Sequence, residues 1–180
     1  GIILECCWLV QPLINGIKND LDLFMNSYDK IFTWSEELCD LHERICWIPG
    51  NGSWIREPQI YPKNKLISIL ASNKSHLPGH QQRLHMLDQL KEYAPLFGRG
   101  FNEIEYKEEA LADYMFSVAI ENNNEYFSEK LLDCFLTGTI PIYYGTPSVG
   151  KWFNTDGMIT LQDGFDIESL TEELYNDKID

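Results

Sequence analysis

The clearest structural signal in this chain is the stretch from Tyr114 to Asn154, YMFSVAIENNNEYFSEKLLDCFLTGTIPIYYGTPSVGKWFN. It begins with a continuous apolar run, Tyr114 to Ile120, which is typical of a strand buried on both faces of a parallel sheet. A polar loop follows, then a predicted helix over residues 128–137 that ends at Gly138, and a second apolar run from Ile140 to Tyr144. A strand, a helix and a strand in this order predict a parallel β-α-β unit.

The same alternation extends toward the N-terminus. Residues 66–71 predict a strand, residues 79–93 a helix, and a turn at residues 97–100 follows a further short strand. Residues 1–60 differ, with a loop carrying Pro12 and short predicted strands at 30–34 and 45–48. We therefore predict an α/β fold with a Rossmann-like parallel sheet and helices on both faces over residues 61–180, preceded by a separate domain over residues 1–60.

Composition limits the classes of function. The chain has 180 residues, of which 44% are hydrophobic, and its 28 acidic against 14 basic side chains give a net charge of −14. This charge argues against a nucleic-acid partner, because each neutralised phosphate requires a basic side chain. The five cysteines show no C-x-x-C spacing, so we expect reduced thiols, no zinc site and a cytoplasmic location. No apolar run reaches the roughly 18 residues of a membrane span.

Two loops are expected at the carboxyl ends of buried strands, where open α/β sheets bind their ligands. One loop leads to Arg83, whose guanidinium can bind phosphate with two parallel hydrogen bonds. The other leads into the helix that begins near Glu129 and Lys130. A cation such as Lys130 is unfavourable against the helix dipole, so its position indicates that an anion lies there too. Glu129 can accept hydrogen bonds from ribose hydroxyls.

A simpler interpretation stays open for these residues. Glu129 and Lys130 can be a solvated surface pair, and Arg83 can lie on the polar face of its helix. The sequence contains no G-x-G-x-x-G, no P-loop and no H-E-x-x-H motif. The residues alone therefore predict a parallel α/β domain with an anion site at a helix N-terminus.

The stretch from Tyr114 to Asn154 also carries a motif pattern. The matching residues, in order, are Phe116, Glu121-Asn122, Tyr126-Phe127-Ser128-Glu129-Lys130, Gly138-Thr139-Ile140-Pro141-Ile142, Gly145, Pro147-Ser148-Val149 and Phe153-Asn154. This pattern resembles the donor-binding signature of the family 10 fucosyltransferases. The resemblance implies a GT-B-like architecture, with residues 61–180 as the donor domain and residues 1–60 as the remnant of a truncated acceptor domain. It also implies transfer of L-fucose from GDP-fucose to a hydroxyl of an acceptor glycan, with inversion and with no cofactor required.

The resemblance assigns roles to individual residues. Lys130 and Arg83 match the family's phosphate-contacting cations, and Glu129 matches a glutamate that faces ribose or fucose. The other candidate donor-binding residues are Glu121, Asn122 at the pocket wall, Tyr126, and Ser128 where the family usually has threonine. The resemblance further suggests Glu5 as the catalytic base, although Cys6-Cys7-Trp8 follows it where the family has Ser-Pro.

Three alternatives stay open at this point. A transferase of the same fold can use another nucleotide sugar, because diphosphate contacts do not read the sugar. A binding module can keep the donor-side loop without catalysis, and a structural α/β domain can bind no ligand at all. The short N-terminal part leaves open whether this chain turns over its substrate.

Overall fold

The computed structural model describes residues 7–48, 52–76, 78–122, 124–161 and 165–179. The chain divides into two compact units, of which the first ends at Asn51 and the second begins at Gly52. The assignment of residues 1–60 to an acceptor-side domain stays a prediction.

The first unit is a small α/β arrangement around one parallel strand pair. Its elements are α1 Cys7–Asn19, α2 Leu21–Ser27, β1 Ile31–Thr33, α3 Glu36–Cys39 and β2 Ile45–Trp47, and β1 pairs with β2. Ile17, Ile31, Trp34 and Leu38 are almost completely buried and form its core. Both strands predicted in this part of the sequence are confirmed.

The loop predicted around Pro12 is wrong, because α1 continues through this residue. Proline inside a helix removes one backbone hydrogen bond and is costly. The helix persists because Ile14 and Ile17 lie one turn apart on its buried side. The free energy gained by burying Ile14 and Ile17 therefore outweighs the cost of Pro12 inside the helix.

The second unit is a five-stranded parallel sheet with strand order β4-β3-β5-β6-β7. Its elements are β3 Lys65–Leu70, α4 Pro78–Leu90, β4 Leu96–Phe97, α5 Glu108–Leu111, β5 Tyr114–Ile120, α6 Glu129–Leu136, β6 Ile140–Tyr144, β7 Ile159–Thr160 and α7 Glu172–Ile179, with short 3-10 turns at Pro147–Lys151, Thr155–Gly157 and Ile167–Ser169. The predicted Rossmann-like parallel sheet is confirmed, and β5 and β6 have the predicted bounds.

Helices cover both faces of this sheet, as predicted. On one face, Phe116 and Val118 of β5 pack with Leu87 of α4 and Tyr175 of α7. The helices α5 and α6 contact β5. They lie in the β4–β5 and β5–β6 connections, and right-handed crossovers place these connections on the opposite face because the direction of strand addition reverses after β4. The reversal lies between β3 and β5, so the ends of these two strands form the switch point of the sheet.

The end of α6 is set by Gly138, as the sequence predicts. Gly138 has a φ of +66°, a conformation that glycine adopts without steric cost. A side chain would also collide here, because a Cβ on Gly138 would lie 2.8 Å from Cγ2 of Ile60. The chain therefore turns tightly into β6.

The ammonium of Lys63 joins the C-terminal ends of two helices. Its Nζ donates to the carbonyl oxygens of Leu111 at 3.1 Å, Ala112 at 2.9 Å and Thr137 at 2.8 Å, and lies 2.9 Å from Oγ1 of Thr139. A cation suits this position, because helix C-termini carry partial negative charge and carbonyls without partners. Lys63 thereby fixes α5 and α6 relative to each other.

We expect the substitution Lys63→Met to lower the free energy of unfolding by about 2–4 kcal/mol, because it leaves buried carbonyls without a donor. Urea denaturation followed by circular dichroism measures the change. The control is Lys65→Met, which removes an exposed ammonium paired with Asp113 and should cost no more than about 1 kcal/mol. Equal losses in the two variants would contradict this role of Lys63.

Candidate functional site

The candidate site lies at the carboxyl ends of β3 and β5. Ser72 lies shortly after the end of β3, and Glu121 directly follows β5. The N-terminal part of α4 closes onto the loop after β5 at Gly79, where a Cβ would lie 1.7 Å from the carbonyl oxygen of Asn122. A residue with a side chain at position 79 would separate these two segments, so glycine allows the elements of the site to meet.

Glu121 forms a buried polar cluster with the start of α6. Its Oε1 accepts hydrogen bonds from Ser128 N at 2.7 Å and Ser128 Oγ at 2.9 Å. Its Oε2 lies 2.7 Å from Ser128 Oγ and 2.9 Å from Lys130 Nζ. Lys130 Nζ also donates to Ser128 Oγ at 2.9 Å, and Glu121 is only 4% exposed. The three residues therefore form one connected network.

The anion beside Lys130 is the carboxylate of Glu121, which the sequence did not indicate. Lys130 at a helix N-terminus was expected to indicate an external anion, yet the carboxylate of Glu121 already faces this end of α6. Burial lowers the pKa of Lys130, but the charges of Glu121 and Glu129 outweigh it, so the net pKa is raised and the ammonium stays protonated. Lys130 is thus held as a fixed cation by an internal partner.

Arg83 is buried in α4, so its predicted alternative as a solvated surface residue is wrong. It is 3% exposed, and its Nη1 donates to Oδ1 of Asn122. Its Nη2 donates to the carbonyl oxygens of Ser72 at 3.0 Å and Lys74 at 3.3 Å. Burial lowers its pKa while Glu121 raises it, with a net lowering. Arg83 therefore joins the loop after β3 to the loop after β5.

Arg83 and Lys130 line one cavity of about 270 Å³. This volume is near the lower limit of small-molecule sites. The other lining residues are Leu70, Ala71, Ser72, Gly98, Arg99, Ile104, Glu105, Tyr106, Lys107 and Glu129. The cavity thus holds the cations of Arg83, Arg99, Lys107 and Lys130 against the carboxylates of Glu105 and Glu129.

The predicted site residues fall into three groups. Arg83, Glu129 and Lys130 line the cavity. Glu121, Tyr126 and Ser128 are buried, and none of these three, nor Asn122, is among the residues that line it. Glu5 lies outside the described residues.

Arg99 and Lys107 are functional candidates that the sequence did not single out. Lys107 Nζ lies 2.6 Å from Oδ2 of Asp133 and 3.6 Å from Oε1 of Glu129. Burial raises the pKa of Glu129, but the charges of Lys130 and Lys107 and the hydrogen bonds from its own backbone N–H and from Ser128 together lower it more, so the net pKa is lowered and the carboxylate stays ionised. The sequence offered one signal for Arg99 and Lys107: both follow the short strand β4, whose carboxyl end lies at the same edge of the sheet as those of β3 and β5.

Within residues 7–48, 52–76, 78–122, 124–161 and 165–179, no group of three or more His, Cys, Asp or Glu side chains is placed to hold a metal ion. Of the helices described, none combines the length and hydrophobicity of a membrane-spanning segment.

The parallel sheet and the cavity at its switch point define a doubly wound, Rossmann-like α/β domain. Residues 60–177 match the family model described as glycosyltransferase family 10 (fucosyltransferase), C-terminal domain. The chain belongs to this family.

This chain is similar in sequence to a known relative and in structure to two solved proteins. The α-(1,3)-fucosyltransferase FucT of Helicobacter pylori is 35% identical over 109 residues, which are 56% of this chain and 22% of that protein. A crystal structure of an α1,3-fucosyltransferase with GDP-fucose aligns at a TM-score of 0.52 and 27% identity, over 65% of this chain and 38% of that one. One with GDP aligns at a TM-score of 0.63 and 20% identity, over 84% and 60%. The GT-B-like fold class is confirmed, and the chain spans only part of each protein.

We expect the stability of the protein to depend on pH through His80. Burial lowers the pKa of His80 to about 4, with the charge of Arg83 acting in the same direction. Because histidine in the unfolded chain titrates near 6.5, the native state binds fewer protons between pH 6.5 and 4, and the free energy of unfolding falls as the pH falls through this window.

The substitution His80→Gln should make this fall less steep, as measured by urea unfolding at several pH values between 7.5 and 4. His85→Gln, at an exposed position of the same helix, is the matched control and should keep the wild-type slope. Parallel slopes for wild type and His80→Gln would rule out this role of His80.

Proposed function

We propose that this chain is the donor-side part of a fucosyltransferase that transfers L-fucose from GDP-fucose to a hydroxyl of an acceptor glycan, with inversion. The observation that carries the proposal is the cavity shared by Arg83 and Lys130 at the switch point of the sheet. Family membership supports fucosyl transfer as the reaction class. The nucleotide sugar and the acceptor glycan are the partners that this reaction requires.

The charges around the cavity suit a diphosphate. Lys130 supplies an ammonium whose position is fixed by Glu121, and Arg83 supplies a guanidinium fixed by the carbonyls of Ser72 and Lys74. Donors that are already oriented need little reorganisation when they bind an anion, so they stabilise it more than flexible cations do. The same groups would stabilise the charge that develops on GDP as the bond to fucose breaks.

The reaction itself needs a base and a leaving group. The acceptor oxygen attacks the anomeric carbon of fucose and loses its proton to a carboxylate, while the bond from that carbon to the β-phosphate oxygen breaks and GDP leaves with the electron pair. We propose Glu5 as the base, on the family resemblance. We further propose that Arg83 and Lys130 stabilise the leaving GDP without the need for a cofactor.

Glu129 is proposed as the carboxylate that meets the ribose or fucose hydroxyls. It lies beside Lys107 and Lys130 and is held ionised by both. An ionised carboxylate accepts strong hydrogen bonds from hydroxyl groups. Asn122 and Tyr126 then support the donor pocket from the loop before α6.

We expect loss of the Lys130 cation to weaken GDP binding by about 1.5–3 kcal/mol, the range for a hydrogen bond to a charged group. The variant is Glu121→Gln with Lys130→Met, which neutralises both members of the buried pair and leaves no unpaired charge in the interior. Isothermal titration calorimetry with GDP measures the change. A second variant, Arg99→Ala, removes an exposed cation of the cavity wall. It tests the electrostatic attraction of the cavity for GDP without disturbing a buried group.

Lys91→Ala is the matched control, because Lys91 is exposed and lines a different cavity. It should bind GDP as wild type does. A thermal-shift series with GDP, GDP-fucose, GDP-mannose and UDP-sugars identifies the donor, since a ligand that binds the native state raises the melting temperature. Unchanged GDP binding in both cavity variants would place the donor elsewhere.

The proposed base is tested separately by Glu5→Gln. We expect GDP affinity close to that of wild type and loss of fucosyl transfer, because the amide cannot accept the acceptor proton. Calorimetry measures the first and a labelled-fucose transfer assay the second. Wild-type chain that binds GDP-fucose without transferring it would indicate a donor-binding module, and full transfer by Glu5→Gln would exclude this residue as the base.

A further inference from the structure

Lys107 lies beside two carboxylates of α6, one that lines the cavity and one that does not. Glu129 lines the cavity, whereas Asp133 is 1% exposed and is not among the lining residues. The two acidic residues lie one turn apart, so they share a face of α6. Lys107 Nζ donates to Oδ2 of Asp133 at 2.6 Å, but it lies 3.6 Å from Oε1 of Glu129. Only the first distance is within hydrogen-bond range, so the ammonium is bonded to the carboxylate outside the cavity.

The carboxylate of Asp133 is itself fixed by the start of the second unit. Its Oδ1 accepts from Ser53 Oγ at 2.7 Å and from the backbone N–H of Trp54 at 2.8 Å. The Ser53 hydroxyl is oriented in turn, because its oxygen accepts from the backbone N–H of Ile55 at 2.9 Å. Both donors to Asp133 use Oδ1, which leaves Oδ2 to Lys107. A buried carboxylate with this many partners holds its cation in one place.

We infer that Asp133 is a positioning residue that keeps the Lys107 ammonium from binding Glu129, and so leaves acceptor positions of the Glu129 carboxylate open to hydroxyls of the nucleotide sugar. This inference rests on the proposed function, in which Glu129 meets those hydroxyls. Without the Asp133 charge, the nearest carboxylate to the ammonium is that of Glu129, only 3.6 Å away. An ammonium is a charged donor and forms a stronger hydrogen bond to a carboxylate than a neutral hydroxyl does, so it would compete with the sugar for Glu129.

The 3.6 Å separation still lets Lys107 act on Glu129 through its charge. Burial raises the pKa of Glu129, and the charge of Lys107 is among the influences that bring the net pKa below its usual range. Coulombic attraction falls off slowly with distance, whereas a hydrogen bond requires close approach. Asp133 therefore keeps Lys107 near enough to favour the ionised carboxylate and too far away to occupy it.

The test is the isosteric substitution Asp133→Asn, alone and combined with Lys107→Met. The amide keeps an oxygen for Ser53 and Trp54 but offers Lys107 no charge. In Asp133→Asn, GDP-fucose affinity measured by calorimetry should fall by about 10-fold or more, the scale of one hydrogen bond to a charged group. The double variant should bind GDP-fucose at least about 5-fold more tightly than Asp133→Asn alone, because the competing ammonium is gone. Removing a cation from a cavity otherwise weakens the binding of an anion, so this gain is specific to the inference.

A second variant keeps the ion pair with Asp133 and serves if Asp133→Asn melts below the assay temperature. In Lys107→Arg the charge is conserved, but the planar guanidinium has five N–H donors and can bond to Asp133 and Glu129 at once. We expect this variant to fold and to bind GDP-fucose more weakly than wild type. A purely structural or attractive role of Lys107 predicts unchanged affinity instead. GDP measured in parallel identifies the sugar, because an equal loss for both ligands assigns ribose and a loss for GDP-fucose alone assigns fucose.

Asp113→Asn is the matched control, because Asp113 is a half-exposed aspartate that pairs with Lys65 and is not among the lining residues. It should keep the wild-type affinity. If Asp133→Asn also keeps it, or if the double variant binds no more tightly than Asp133→Asn, the role of Asp133 is wrong and the proposed function stands. If wild type binds neither GDP nor GDP-fucose, the proposed function fails, and the role of Asp133 fails with it.

Discussion

The buried carboxylate of Glu121 is the constraint on which the site depends. It receives the Ser128 backbone N–H, the Ser128 hydroxyl and the Lys130 ammonium, so it joins the end of β5 to the first turn of α6. A buried ion pair is stable only when its geometry is good and the remaining polar atoms have partners, and both conditions hold here. Because this contact fixes the start of α6, it also fixes where Glu129 and Lys130 enter the cavity. Arg83 reaches the same loop through Asn122, which connects α4 to the arrangement.

The sequence predicts the central part of the fold well for a physical reason. The strands β5 and β6 are buried on both faces and therefore read as continuous apolar runs, and Gly138 sets the end of the helix between them through its positive φ. Arg83 and Lys130 could be identified as partners because the carboxyl ends of adjacent parallel strands meet at one edge. These features depend on local pattern and topology, both of which a sequence carries.

The rest of the site depends on contacts that no local pattern carries. The strand β4 has two residues and the helix α5 has four. The sequence therefore places Arg99 and Lys107 after a short strand, but it has no periodic pattern to show that Arg99, Glu105 and Lys107 line the cavity. The role of Glu121 as an internal anion follows from a loop that folds back on itself, and the spacing between Glu121 and Ser128 does not reveal that fold. The burial of Arg83 was likewise hidden, since an arginine in an amphipathic helix usually faces water.

The cavity also shows why net charge describes a protein poorly at the scale of a site. The chain carries a net charge of −14, yet four cations and two carboxylates line this cavity. Positive charge also acts on a neighbouring side chain. Burial first, and then the charges of Arg83, His76, Lys74 and Lys130, lower the pKa of His80 to about 4. Two of the cations at the cavity wall, Lys107 and Lys130, are paired with the carboxylates of Asp133 and Glu121, which do not line the cavity. Cations at the cavity wall can donate hydrogen bonds to a small anion at short range, whereas net charge acts on long polyanions. Net charge and the charges of one cavity therefore bear on different ligands, because a long polyanion and a small anion respond to charge at different distances.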